Sequence, residues 1–329
     1  MLNRFQRAST GTAHSQHERG NMTTPIRVAI HGLGNIGRQA IQCVETAQDM
    51  QCIGIIRSPA SIGTKQNDLR GVPEFSSLDD LLKTNGKPDV VIICGPSRNV
   101  PADAERYLAA GINTVDSFDI HDQIPELVAK LDALALAANR CAIVSAGWDP
   151  GSDSVFRAMF EAMTPVGTTF TNFGRGRSMG HSVAARAISG VSDATSITIP
   201  IGGGRHSRLV YILPEAGAKA DQIEKDLAAD PYFSHDPLEV RFVKTAAELE
   251  ATMDSSHGVV LERIGASGLT SNQRLCFEMR IDNPALTAQV MTSAARAATR
   301  LSPGCKTLID IPPVAMLPGD RMGHVARLV

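Results

Sequence analysis

The chemistry of this chain is concentrated in two carboxylates at the ends of apolar runs: Asp119 in "VDSFDIHD" and Asp149 in "SAGWDPG". A carboxylate can hold an ammonium group, fix a C–H bond for hydride transfer and accept a proton, and oxidising an amine needs all three. If the two runs are neighbouring strands, the two side chains converge; each also fits a turn former or a helix cap. Farther along stand Thr198 in "SITIP", Arg208 in "SRLVYI", His257 in "SSHGVV" and Asn283 in "DNPAL". Arg208 offers a planar fork for a carboxylate. The plainer readings are a strand residue for Thr198, a solvated strand start for Arg208, a loop hydrogen-bonder for His257 (the stronger reading of that residue alone) and a helix cap for Asn283. Trp148, the only tryptophan, precedes Asp149. Composition alone allows it a buried core position, yet it stands in what reads as a loop, flanked by glycine and aspartate. Pro150 fixes the backbone after the carboxylate, Gly151 permits a turn, and Ser152 or Asp153 can cap the next helix.

These groups need a cofactor to take the hydride, and the start of the chain supplies a site for one. "IRVAI" reads as a strand, and "HGLGNIG" places Gly32, Gly34 and Gly37 in the G-x-G-x-x-G spacing at the opening of a helix. The first glycine makes the turn, the second lets the backbone approach a pyrophosphate, and the third lets helix and strand pack closely; Asn35 and Ile36 lie between them. About 20 residues beyond the motif, where an NAD site carries Asp or Glu, the sequence has Arg57 and Ser58. A cation and a hydroxyl there favour NADP, although Arg57 also fits a solvated strand end. "CGPSRN" follows another apolar run, so Gly95, Pro96, Ser97 and Arg98 are candidate cofactor contacts, as are Ser117, Phe118, Ala146, Gly147 and Pro150 at the next two strand ends.

The elements that position these residues alternate strand and helix: "CIGII", "DVVIICG", a helix from 101 to 110, "NTVDSFD", a helix near 122 to 138, and "CAIVSAG". That alternation predicts a Rossmann-type doubly wound parallel sheet. Beyond Asp153 runs such as "ATSITIPIGGG" and "QRLCFEMRI" alternate apolar and polar residues, as an α+β substrate or dimerisation domain with a mixed or antiparallel sheet would. "NPALTAQVMTSAARAATRL" predicts a helix with Asn283 as N-cap and Pro284 at N1. The expected divisions are a disordered extension over 1–21, a dinucleotide-binding domain over 22–150, a substrate or dimerisation domain over 151–282, and a C-terminal segment, 283–329, that returns to the first domain. Met22 is an alternative start, and an organelle transit peptide is the alternative reading of the extension. With 32 basic and 34 acidic residues, net charge −2, no basic stripe awaits nucleic acid. The apolar runs are too short to span a membrane. Six cysteines without a C-x-x-C pair suit a reducing cytoplasm, and no metal site is expected.

Taken in order, "RVAIHGLGNIGR", "VDSFDIHD", "VSAGWDPGSDSV", "TNFGRGRSMGHS", "ITIP", "SRLVYI" and "IDNPALT" resemble the meso-diaminopimelate dehydrogenases over about residues 25 to 318. The resemblance implies NADP-dependent, reversible oxidative deamination at the D-centre of meso-2,6-diaminopimelate. The products are L-2-amino-6-oxopimelate (which cyclises to tetrahydrodipicolinate), ammonia and NADPH, and the reverse reaction serves lysine and cell-wall synthesis. It implies that Asp119 and Asp149 lie near the reacting amine, that Trp148 and Phe173 wall the substrate, and that Met179 and Gly180 belong to a closing loop. Thr198, Arg208, His257 and Asn283 match residues that hold the distal L-centre and its carboxylate. The chain departs from the best-known members in four places: a shorter segment between Thr198 and Arg208, Met179 and Val183 on the closing loop, Ser58 and Pro59 where basic residues often help bind the 2′-phosphate, and Arg175 within "GRG". The first two resemble a subgroup that also aminates simple 2-oxo acids to D-amino acids.

Overall fold

The computed structural model describes residues 24–64, 69–174, 176–202, 204–252 and 256–329. The expected extension over 1–21, and Arg175, lie outside them. The first half runs β1 (Ile26–His31), α1 (Asn35–Thr46), β2 (Met50–Ile56), β3 (Glu74–Phe75), α2 (Leu78–Asn85), β4 (Val90–Ile93), α3 (Val100–Ala109), β5 (Asn113–Asp116), α4 (Ile124–Ala138), β6 (Cys141–Ile143) and α5 (Ser152–Met163). Its strands are parallel and buried on both faces, which is why they read as unbroken apolar runs. Ala29, Val91 and Ile93 face a core built with α3 and α4, whereas Val28, Ile30 and Ile92 face the opposite layer. With β14 (Gly304–Lys306) from the far end of the chain, the sheet order is β14-β6-β5-β4-β1-β2-β3. Succession reverses between β1 and β4, and the crevice beyond the strand ends at such a point is where open α/β sheets bind ligands.

The second half adds β7 (Val166–Phe173), β8 (Gly176–Ser178), α6 (Met179–Arg186), β9 (Val191–Gly202), β10 (Arg205–Pro214), α7 (Ala220–Ala229), β11 (Leu238–Phe242), α8 (Ala246–Ala251), β12 (Ser256–Ser267) and β13 (Thr270–Asp282). Among the described residues these strands form a mixed sheet ordered β11-β10-β9-β8 and an antiparallel one ordered β13-β12-β7. Exposed and half-buried residues alternate along β13, the pattern of a sheet covered on one face.

The chain then re-enters the first half. α9 (Asn283–Ala298) lays Ala288, Met291, Ala294, Ala295 and Ala298 against the sheet and α1, and β14 (Gly304–Lys306) pairs with β6 as the seventh strand. Arg296, 4% exposed, grips Asp49 through two hydrogen bonds of 2.6 and 2.8 Å. α10 (Arg321–Leu328) ends the chain. Two expected caps differ. Asp282, not Asn283, caps α9 by accepting from the Ala285 amide at 3.0 Å, so Asn283 is the first helical residue. Gly151 occupies the N-cap of α5, so neither Ser152 nor Asp153 caps it. No helix among the described residues is long and apolar enough to cross a membrane.

Candidate active site

The glycine loop has the geometry its spacing asks for. Gly32 adopts φ +95, which L side chains disfavour, and its amide donates to the Ile56 carbonyl at 3.0 Å. A methyl group on Gly37 would lie 2.1 Å from the Gly32 carbonyl oxygen, so any side chain there would push the α1 terminus away from the turn. A methyl group on Gly34 would meet nothing within 4 Å. That space, at the positive end of α1, suits a pyrophosphate. Asn35 accepts from Arg38 at 2.6 Å, and Ile36 packs into the core beneath.

At the end of β2 the guanidinium of Arg57 is already engaged. It pairs with the Glu74 carboxylate and donates to the Thr64 carbonyl and hydroxyl at 2.8 and 2.9 Å, with both charged side chains less than 10% exposed. Ser58 is exposed and bonds Ser61 at 3.0 Å. Beyond β4, Pro96 and Arg98 are exposed and Gly95 is half-buried. Ser97 donates to Asp119 Oδ1 at 2.5 Å and thereby ties the loop after β4 to the loop after β5.

The acidic loops are fixed by a third carboxylate. Asp116, fully buried at the end of β5, accepts from the amides of Phe118 at 2.9 Å and Ser145 at 3.1 Å, while its other oxygen has no partner among the described residues. Burial pushes its carboxyl up to about 6. It joins the loops after β5 and β6. A methyl group on Gly147 would lie 3.6 Å from Ser117 Cβ and 3.8 Å from Thr287 Cγ2. Phe118, 1% exposed, belongs to the first-half core, so its ring packs and only its backbone can serve a cofactor. Ala146, Gly147 and Pro150 are likewise buried. Asp149 is half-buried; burial, then the neighbouring Asp153 carboxyl, push it up to about 6 against the pull of His121 and Arg157.

Trp148 is 5% exposed and packs with Phe160, Val259 and Leu261, so its ring is part of a second-half core. Its edge meets Phe173, ring centroids 6.5 Å apart at 86°, and Phe173 is the more open of the two. The Phe173 amide donates to His206 Nε2 at 3.1 Å. The β9–β10 register sets Thr198 opposite Arg208. Arg208 donates through Nη1 to the Thr198 hydroxyl at 2.5 Å and through Nε to Asp236 at 2.7 Å; its Nη2 has no hydrogen bond among the described residues. Asn283 accepts from Thr287 at 3.2 Å, which brings the start of α9 beside the Gly147 loop. Met179 and Gly180 open α6, whose start is held by a Ser178–His181 hydrogen bond of 2.8 Å; their side chains, and that of His257 on β12, lie outside the described set.

Several neighbours give no sequence signal of their own. Glu74 lies on a two-residue strand, and Asp236 sits in the turn before β11. His206, whose burial and nearby Arg208 hold its imidazole below the usual range, lies in the same "RHSR" stretch as Arg208, and that proximity was its only clue.

Residues 26–115 match the oxidoreductase family with an NAD-binding Rossmann fold, and residues 147–204 match the diaminopimelic acid dehydrogenase C-terminal domain. The meso-diaminopimelate D-dehydrogenase of Bacteroides fragilis is 44% identical over 304 residues, 92% of this chain and 99% of that protein. The crystal structure of Corynebacterium glutamicum DAP dehydrogenase in complex with DAP aligns with TM-score 0.76 at 31% identity, covering 93% of this chain and 100% of that one. An engineered D-amino acid dehydrogenase bound to NADP+ aligns with TM-score 0.72 at 29% identity, covering 93% and 100%. The first half is therefore a nicotinamide-dinucleotide fold. A relative this similar along nearly the full length of both proteins identifies the lineage: the chain belongs to the meso-diaminopimelate D-dehydrogenase family.

Proposed function

We propose that the protein catalyses reversible, NADP-dependent oxidative deamination of meso-2,6-diaminopimelate at its D-centre, giving L-2-amino-6-oxopimelate, ammonia and NADPH, in lysine biosynthesis. The observation that carries this reading is the continuity of the site. The Gly147–Asp149 loop, anchored on the sheet end by Asp116, abuts Phe173, and Phe173 leads through His206 toward the Arg208 fork. One end can hold an amine and the other a carboxylate.

In this mechanism Asp119 and Asp149 receive the D-centre ammonium. An N–H bond breaks, its electron pair stays on nitrogen, and the proton forms an O–H bond on Asp149. The nitrogen lone pair can then drive hydride loss from the carbon; water adds to the iminium carbon, gives one proton to the nitrogen and one to solvent, and the C–N bond breaks to leave the oxo group and ammonia. NADP, when bound, supplies the hydride acceptor. Gly32, Gly34, Gly37 and the Gly95–Arg98 turn are its proposed seat, with Arg57 and Ser58 at the 2′-phosphate, which must share Arg57 with Glu74. Trp148 and Phe173 form the apolar wall, Met179 and Gly180 the closing segment, and Thr198, Arg208, His257 and Asn283 the distal end.

The direct β9–β10 hairpin favours a second activity, on simpler D-amino acids, because less chain covers the distal end. We assign residues 22–150 and 283–329 to the dinucleotide half and 151–282 to the substrate half, a cytoplasmic location, and a homodimer. Phe156, Met159 and Met163, exposed at helical spacing on α5, form an apolar stripe that fits a self-association face.

Incubation with NADP and meso-, LL- or DD-diaminopimelate, followed by the absorbance of reduced nicotinamide, tests the assignment. Turnover of the meso isomer is expected. Its absence from protein that demonstrably binds NADP overturns the function.

A further inference from the structure

His206, on β10, links the two sheets of the substrate half at Phe173. The Phe173 amide donates to its Nε2 at 3.1 Å, and the two rings lie 5.8 Å apart at 32°. A backbone N–H can only donate, so Nε2 carries no proton and the neutral ring holds its N–H on Nδ1. Burial and the Arg208 guanidinium, against the pull of Asp236, favour that neutral form. Nδ1 has no hydrogen bond among the described residues, nor is it one of their buried unpartnered atoms, so its N–H is open to a ligand. The join between β10 and β7 does not require an imidazole. The Gly204 amide already donates to Asn172 Oδ1 at 2.8 Å, and the Phe173 amide needs only an acceptor. A histidine at this position adds a directed donor. Two residues along β10 stands Arg208, on the same face of the strand and about 7 Å away.

We infer that His206 is a specificity-determining residue, whose Nδ1–H donates to the second oxygen of the distal substrate carboxylate that Arg208 holds by the first. The inference rests on the proposed role of Arg208. A carboxylate accepts at both oxygens and is held best by donors to each. With Nη1 engaged by Thr198 and Nε by Asp236, the Arg208 fork meets the substrate through Nη2 and leaves the other oxygen to a neighbour on the same face. A neutral N–H suits that place, because a second cation beside the guanidinium would be repelled by it. The Phe173 amide thus does two things at once: it fixes the wall to β10, and it selects the imidazole tautomer that can bind an anion. A substrate with one carboxylate, held at the reacting centre, has nothing for His206 to bind.

The test compares wild type, His206→Gln, His206→Asn and Arg208→Met on meso-diaminopimelate and on a D-amino acid lacking a second carboxylate, with thermal denaturation and NADP binding as folding controls. The glutamine amide reaches the Nε2 position, so it can still accept from Phe173 but places no donor at Nδ1; the asparagine amide reaches the Nδ1 position and keeps that donor while losing the acceptor. His206→Gln is expected to raise KM for meso-diaminopimelate about ten- to a hundredfold and to leave the D-amino acid within about twofold. His206→Asn should raise both by a similar, smaller factor as the wall loosens. Equal losses on both substrates in His206→Gln, or none on either, with Arg208→Met still discriminating between them, overturn the proposal and leave the role of Arg208 intact. Failure of Arg208→Met to discriminate overturns that role and the proposal with it. Nitrogen NMR of the histidines in the NADPH-bound protein, where hydride cannot leave the substrate, gives a readout free of turnover. The signal lost in either His206 variant should be that of a neutral Nδ1–H ring at pH 7, shifted by meso-diaminopimelate and not by the D-amino acid. A cationic or Nε2–H ring, or no shift, overturns the proposal.

Discussion

Replacing Arg208 by methionine keeps an unbranched apolar stem and removes the guanidinium, its charge and its donors. In the free protein Arg208 Nη1 serves Thr198 and Nε serves Asp236, which leaves Nη2 for a substrate carboxylate. The loss at the substrate is therefore one charge-assisted hydrogen bond, about 1.5–3 kcal/mol. At about 1.4 kcal/mol per factor of ten, KM for meso-diaminopimelate should rise roughly ten- to a hundredfold. The Thr198 hydroxyl, on a residue 4% exposed, loses its donor, and a stability loss of about 1 kcal/mol should accompany the change. Initial rates with varied diaminopimelate and fixed NADP measure the first effect, and denaturant unfolding the second. Two controls test the assignment. KM for NADP should stay unchanged, and a D-amino acid lacking a second carboxylate should lose no more rate than the stability change explains. An equal loss with that substrate, or a large loss of NADP affinity, refutes the distal-carboxylate role.

The glycine loop predicts a contrast. Gly37→Ala must move the Gly32 carbonyl and should lower stability by about 1–3 kcal/mol without any ligand, whereas Gly34→Ala should fold with a loss below about 1 kcal/mol and bind NADP at least about tenfold more weakly, as thermal shift with and without cofactor will show. Asp116, raised from 3.8 to about 6, binds a proton in the folded state at pH values where the unfolded chain has lost it, so its contribution to stability falls as pH rises through that window. At 1.36 kcal/mol per unit, Asp116→Asn should gain on wild type by up to about 3 kcal/mol between pH 4 and 7, read by chemical denaturation at each pH; a constant difference contradicts this account. Met159→Glu places a charge in the exposed stripe on α5 and should reduce the proposed dimer to monomer in light scattering, with the monomer still folded.

What could be read from the sequence was what is local. Gly32, Gly34 and Gly37 announce themselves because their spacing is the structure, and the β4, β5 and β6 runs are apolar because both sheet faces are covered. Asp119 and Asp149 stand out in the sequence by their places at strand ends. Their surroundings do not, since Arg157, which holds Asp153, meets Thr171 only through the packing of α5 on β7. Arg57 looked like an open cation because Glu74, its partner, arrives on a strand of two residues with no period to detect. Trp148 as a substrate wall is what the resemblance implies; the burial of its ring depends on Phe160 and, far along the chain, Val259 and Leu261. The α9 cap was misplaced by one residue because Asp282 and Asn283 can each satisfy the same first-turn amides.

The return of the chain through α9 and β14 bears on how the protein is made. The nucleotide half begins at β1, yet its core includes Met291, Ala294 and Ala298, and the sheet edge beside β6 is covered by residues 304–306. These leave the ribosome only after the entire substrate half has been synthesised. The cofactor fold therefore cannot be completed in order of synthesis; until the end emerges, β6 presents an open edge and the Val28, Val90 and Ile92 face lacks its cover. A chain stopped before residue 283 should keep every glycine of the cofactor loop and still expose that apolar face, so loss of the far end should register first as aggregation of the near one.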